Sequence, residues 1–152
     1  MRRAFIALSL AAVSAAPAFA QAQKTWSSFD TDKGAVLGFG VPETDDTVVT
    51  FTCERGNPVV LVSSRVGSKG LKADEAAKII LTTGKVKKEF AGKGIANQES
   101  AAIDVDAGGK LADIKAVLTG GKSMTLEVKG VKLPVSLDGA AENYAQFEAS
   151  CQ

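Results

Sequence analysis

The stretch TVVTFTCE, residues 47–54, carries the clearest structural signal in this chain of 152 residues. Its side chains alternate strictly: Val49, Phe51 and Cys53 share one side, while Val48, Thr50 and Thr52 share the other. Because successive side chains of a strand point to opposite faces of its sheet, this pattern predicts a β-strand with one buried face. Cys53 is therefore expected to point into the core.

The second cysteine, Cys151, lies next to the last residue, in the segment DGAAENYAQFEASC, residues 138–151. This segment predicts a helix with Asp138 as its N-cap. Its apolar stripe steps by four, three and four residues through Ala140, Tyr144, Phe147 and Cys151. Two cysteines on apolar faces pair in an oxidising compartment. We predict a disulfide between Cys53 and Cys151 that fastens the helix to the sheet.

A redox-active pair is the alternative for these two cysteines. Such pairs usually have the Cys-x-x-Cys spacing and a reactive, accessible thiolate. Residues 53 and 151 are far apart in sequence, and both lie on apolar faces. The pattern therefore favours a structural disulfide.

The N-terminus indicates export. A short basic start, MRR, precedes an apolar run over residues 4–16, and the triplet AFA ends at residue 20 as a signal-peptidase site does. We predict a signal peptide at residues 1–20 and a single β-rich periplasmic domain at residues 21–152. The apolar run is too short for a membrane span, and we expect none elsewhere.

Charge bears on the kind of partner. Removing the two signal arginines leaves 16 basic residues against 17 acidic ones. This near-neutral balance argues against nucleic acid, which is bound by strongly basic surfaces. Residues 30–54 are nonetheless mostly acidic and residues 65–93 mostly basic. The asymmetry could form two faces for a partner, or it could cancel on the folded surface.

The rest of the chain also reads mainly as strands. Period-two patterns bounded by turn residues predict eight more strands, at residues 26–31, 34–41, 58–66, 77–84, 85–94, 100–107, 123–130 and 131–137. The lysines of residues 85–94 are expected on a solvent face. Residues 110–121 have helical spacing and end in a glycine pair. The predicted fold class is mainly β, an antiparallel β-sandwich or open barrel with two short helices.

Metal and cofactor motifs are incomplete. Residues 30–34 and 104–109 resemble the start of calcium loops, but both lack the closing glutamate, so turns are expected there. Residues 119–123, TGGKS, lack the first glycine of a phosphate-binding loop and are better explained as the end of a helix. We expect no metal and no cofactor.

Catalytic candidates are few. The chain has no histidine, which excludes Ser-His and Cys-His catalysis and histidine zinc sites. The alternative that stays open is a small envelope hydrolase that uses a Ser–Lys pair, Ser68 and Lys69, or the carboxylates of Asp45 and Asp46. Neither has a complete signature, and we expect no catalytic residues.

The leading expectation is an exported, non-catalytic periplasmic binding or accessory protein that acts through protein–protein or envelope contacts. Trp26 is the sole tryptophan. It could be an exposed anchor, although the neighbouring Phe29 suggests that the two share a buried face. The candidate partner contacts are Trp26, Phe39, Asp45, Asp46, Lys87 and Lys88. The sequence determines neither the partner nor the oligomeric state.

A family resemblance accompanies this interpretation. An early Trp26, the stretches TFTC and PVVLVSS, a late LPVSLDGA and a closing YAQFEASC follow an export signal. This layout resembles small exported proteins of the VasI type, accessory components associated with type VI secretion loci, and other small periplasmic proteins of α-proteobacteria. The resemblance implies the fold and the disulfide. It supplies no functional residues.

Overall fold

The computed structural model describes residues 23–66, 70–98 and 102–152. They form nine strands and two helices. The strands are β1 (Thr25–Thr31), β2 (Gly34–Gly40), β3 (Thr47–Glu54), β4 (Val60–Ser64), β5 (Ala76–Thr83), β6 (Val86–Ala96), β7 (Ile103–Gly109), β8 (Ser123–Val128) and β9 (Val131–Ser136). The helices are α1 (Leu111–Leu118) and α2 (Ala140–Cys151). The predicted signal peptide and the Ser68–Lys69 pair lie outside the described residues.

All nine strands belong to one antiparallel sheet in the order β1-β2-β3-β4-β7-β6-β5-β8-β9. The sheet curls into a half-barrel. The indole Nε1 of Trp26, in edge strand β1, donates a hydrogen bond of 2.7 Å to the backbone oxygen of Ser136 at the end of β9. This bond brings the two edge strands together. The predicted mainly β fold with two helices is confirmed, as one curled sheet.

The inner face of the sheet carries the core. The alternation predicted for β3 is confirmed, because Val49, Phe51 and Cys53 are buried on the side where α2 packs. The predicted disulfide between Cys53 and Cys151 is present, with Cα atoms 5.7 Å apart. Both helices pack on this face, α2 against β1 and β2, and α1 against β5 and β6.

The start of α2 differs from the prediction. Gly139, not Asp138, is the N-cap, and no side chain caps the helix. Gly139 has φ 75°, a left-handed conformation that glycine adopts without strain. The chain thus turns sharply from β9 into α2, and Asp138 is left outside the helix.

Tyr144 joins the two helices. Its hydroxyl donates a hydrogen bond of 3.0 Å to the backbone oxygen of Leu111, at the start of α1, and lies near a carboxylate oxygen of Glu148. Burial, and then the negative charge of Glu148, raise the pKa of the Tyr144 phenol well above its usual range. The phenol is therefore neutral and remains a hydrogen-bond donor at physiological pH.

One polar side chain of the core gives a stability prediction. Thr83 is 1% exposed, and its hydroxyl has no hydrogen-bond partner among the described residues. Thr83→Val should leave the free energy of unfolding unchanged or raise it by up to about 1 kcal/mol, because the variant removes a buried, unpaired hydroxyl. Urea denaturation measures the difference. Thr82→Val, on the opposite face of β5, is the control. A fall in the free energy of unfolding of more than about 1 kcal/mol for Thr83→Val alone would contradict this account.

Candidate binding surface

The face opposite the helices is called the outer face here. It is open over strands β1 to β4. Strand registers align Ser27 with Gly38, Gly38 with Thr50, Thr50 with Ser63, and Ser63 with Asp106. The first four of these residues form a line in which three carry a hydroxyl and Gly38 lies between them; we call this line the hydroxyl row. It crosses β1 to β4 and leads to a carboxylate on β7. Neither helix of the described chain packs over it.

A groove follows the hydroxyl row. The loop of residues 41–46 overhangs the face and encloses a cavity of about 760 Å³ with β1, β2 and β3. Two smaller cavities, of about 310 and 230 Å³, adjoin it toward β7, and Arg65 lines all three. These three cavities together are the outer groove.

The overhanging loop is held in place by its own contacts. The Val41 N–H donates to the backbone oxygen of Asp46 at 2.9 Å, and the Thr44 hydroxyl donates to the backbone oxygen of Val41 at 2.9 Å. The Asp46 carboxylate forms an ion pair with Lys24. The outer groove therefore has a defined wall on this side.

Gly38 lies in the floor of the groove. A Cβ at this position would come no closer than 3.4 Å to any atom, an ordinary contact with the Thr50 methyl, so the fold does not require glycine here. At Gly40, by contrast, a Cβ would overlap the backbone oxygen of Asp46. A glycine inside a strand weakens that strand and often marks close approach of a ligand or another backbone. Gly38 is itself buried and adds no side chain to the floor of the groove.

The charges in the outer groove are unbalanced. Four carboxylates line it without an ion pair to any other described residue: Glu43, Asp45, Asp104 and Asp106. Asp104 accepts a hydrogen bond of 2.8 Å from Asn97. Arg65 is the one cation among the described lining residues, and it forms no ion pair with them. The groove therefore offers hydrogen-bonding groups in a negative potential.

An apolar line runs beside the hydroxyl row. The registers align Phe29 with Val36, Val36 with Thr52, and Thr52 with Leu61. Phe29 is 56% exposed and Leu61 43%, and Val59 next to this line is 52% exposed. Phe29 and Val36 also line the cavity of about 760 Å³, so the outer face places apolar side chains both in the groove and beside it.

Two of the predicted partner contacts are not exposed. Trp26 and Phe39 are buried, with ring centroids 5.3 Å apart, so the core interpretation of Trp26 is confirmed. Phe29 does not share the buried face of Trp26. Residues three apart in a strand point to opposite faces, and Phe29 therefore lies on the outer face.

The other predicted contacts are distributed differently. Asp45 and Asp46 both line the outer groove, and Asp46 is also paired with Lys24. Lys87 forms an ion pair with Glu89 at 2.9 Å on the outer face. Lys88 points inward instead and pairs with Asp113 of α1 at 2.6 Å, so the expectation that it lies on a solvent face is wrong.

Much of the basic stretch is neutralised on the folded surface. Lys78 and Lys87 both pair with Glu89, and Lys93 pairs with Asp74. Hydrogen bonds from Lys87 and then Lys78 hold the pKa of Glu89 below its usual range. The basic stretch borders the outer groove at β7, where Lys93 is the register partner of Asp106.

Of the groove residues the sequence predicted only Asp45 and Asp46, and it missed Gly38 and the charged residues Arg65, Asp104 and Asp106 among others. The turn predicted at residues 104–109 is wrong, because these residues belong to β7. The alternation Asp-Val-Asp at residues 104–106 was the available signal, since it directs both carboxylates to the face opposite Val105.

The described residues form no arrangement that supports the hydrolase alternative. The lysine paired with Asp46 is Lys24, whose side chain is 33% exposed, whereas a lysine base must be desolvated. No group of three or more histidine, cysteine or acidic residues in the described ranges could hold a metal ion. Neither described helix is long and apolar enough to cross a membrane.

Fold and groove define a half-barrel with one face covered by helices and one face partly open. Comparison with known proteins found no matching protein-family model, no matching curated protein and no matching solved structure.

Proposed function

We propose that this protein is an exported, non-catalytic periplasmic accessory protein that binds a segment of a partner protein in the outer groove. Gly38 is the observation that carries the proposal. A Cβ would fit there and would favour the strand, yet this position carries no side chain beside a cavity of about 760 Å³.

The surroundings of the groove support a protein partner. Phe29 and Leu61 are exposed in line on the same face, next to the hydroxyl row. Protein interfaces combine such apolar centres with polar rims, whereas a small soluble ligand in the groove would leave Leu61, which lines none of its cavities, uncovered. The resemblance to accessory proteins of the VasI type favours the same class of function.

The proposed periplasmic location rests on two features. The first 20 residues have the pattern of a signal peptide. The described chain contains a disulfide and no free cysteine, as is usual in an oxidising environment such as the periplasm. Export to that compartment would also place the outer groove among envelope proteins.

Site-specific crosslinking in cells tests the proposal. A photoreactive amino acid is placed at Ser27, in the groove, or at Lys132, which is exposed on β9 and does not line the groove. We expect a discrete adduct from position 27 and none from position 132. Gly38→Val should abolish this adduct, because its side chain fills the floor of the groove.

A matched glycine variant controls for folding. Gly108 also has room for a Cβ, 3.5 Å from the Val59 side chain, and it does not line the outer groove. Gly108→Val should keep the adduct, and both variants should keep the circular dichroism spectrum of the parent. Equal adducts from positions 27 and 132, or adducts that persist in folded Gly38→Val, would refute the proposal.

A further inference from the structure

We infer that the segment bound in the outer groove is cationic, an extended stretch of about six residues that carries lysine or arginine. The inference rests on the proposed function and adds the chemistry of the partner. The hydroxyl row and Asp106 cross five neighbouring strands. At about 4.8 Å per strand they span about 19 Å, the length of about six extended residues.

Carboxylates lie both on the overhanging loop and at the β7 end of the groove. Glu43 and Asp45 belong to the overhanging loop, and Asp104 and Asp106 to β7. None of the four has an ion pair with another described residue. A partner that supplies positive charge would satisfy carboxylates that the described chain leaves unpaired.

The two smaller cavities fit the heads of basic side chains. The cavity of about 230 Å³ is lined by Asp45, Asp46 and Asp104, and the cavity of about 310 Å³ by Asp104 and Asp106. Hydroxyl oxygens of threonines and Ser63 complete the set of acceptors. An ammonium or guanidinium group carries several donors and no acceptor, so such cavities suit it.

Anionic partners are disfavoured by the same charges. Arg65 contributes one positive charge to the groove, against four unpaired carboxylates. A phosphate or an acidic segment would face like charge both from the overhanging loop and from β7. The apolar line of Phe29 and Leu61 adds a place for one aliphatic side chain of the segment.

Peptide titration tests the inference. Two end-capped hexapeptides, Lys-Leu-Lys-Ser-Lys-Ser and the same peptide with Glu in place of Lys, are added to a ¹⁵N-labelled chain of residues 21–152 at low salt. We expect the lysine peptide alone to shift the amide signals of Gly38 and Thr50. Raising the salt to about 0.5 M should weaken this binding, since exposed charge pairs are screened.

Removing negative and positive charges from the groove should change the Kd of the lysine peptide in opposite directions. Asp45→Asn combined with Asp106→Asn should raise the Kd of the lysine peptide about three- to tenfold. The control pair Asp32→Asn with Glu54→Gln, outside the groove, should leave it unchanged. Arg65→Gln should lower it about two- to threefold, because the repelling charge is gone.

The outcomes separate the two proposals. Equal binding of the glutamate peptide, or weaker binding of the lysine peptide by Arg65→Gln, overturns the cationic inference. The cationic inference is also overturned if the crosslinked adduct from position 27 is undiminished in the variant with Asp45→Asn and Asp106→Asn. In that case the proposed function survives. Absence of the adduct from the parent protein overturns both.

Discussion

Cys53→Ser should lower the free energy of unfolding by about 3–5 kcal/mol, and Cys151→Ser should lower it by a similar amount. The disulfide joins residues 98 apart in sequence. In the chain-entropy description, a closed loop of about 100 residues restricts the unfolded chain by about 4.7 kcal/mol. Each single variant loses the same bond, so the two losses should agree. The Tm should fall by roughly 10 °C or more.

Urea denaturation of a chain of residues 21–152, with circular dichroism as the signal, measures this effect. The double variant should be no less stable than the single ones, because the bond is already absent from each. Ser150→Ala is the control: its hydroxyl donates to Asp30 at an exposed site on α2, and a loss below about 1 kcal/mol is expected. A Cys53→Ser variant as stable as the parent would show that the disulfide does not stabilise the fold.

Trp26→Ala should cost about 3–5 kcal/mol, the range for deleting a large buried aromatic side chain. The indole packs on Phe39 and stacks on Phe51, with centroids 6.3 Å apart in the second pair. It also donates to the backbone oxygen of Ser136 at 2.7 Å. The variant therefore opens a cavity and removes a side-chain hydrogen bond between the two edge strands.

A graded series separates these contributions. Trp26→Phe keeps an aromatic ring and loses the hydrogen bond, so we expect an intermediate loss of about 1–3 kcal/mol. Phe29→Ala, three residues along the same strand and 56% exposed, should change stability by no more than about 0.5 kcal/mol. If Phe29→Ala were as costly as Trp26→Ala, the assignment of inner and outer faces in β1 would be wrong.

Local sequence patterns were sufficient to predict most of the strands and helices. The alternation around Phe51 predicted β3 and its buried face, and the spacing of Tyr144, Phe147 and Cys151 predicted the buried stripe of α2. The disulfide followed from these two patterns together. Such predictions succeed because side-chain direction in a strand or helix is set by local backbone geometry.

Predictions failed where neighbouring residues were assumed to share a face. Phe29 was grouped with Trp26, and Lys88 with Lys87, although residues an odd number of positions apart in a strand point to opposite faces. The N-cap at Asp138 failed because the left-handed turn at Gly139 comes between that residue and α2. Alternation applied to every strand would have corrected the first two.

By itself, the sequence determined that this chain is a mainly β protein with two helices and with two cysteines directed into its core. Only the tertiary structure decided that β7 inserts between β4 and β6, and that Arg65, Asp45 and Asp104 line one cavity. Alternation and helical spacing are local, so a single strand or helix reveals them. The outer groove depends on which distant strands pair and in which register, and that is settled by the packing of the whole sheet.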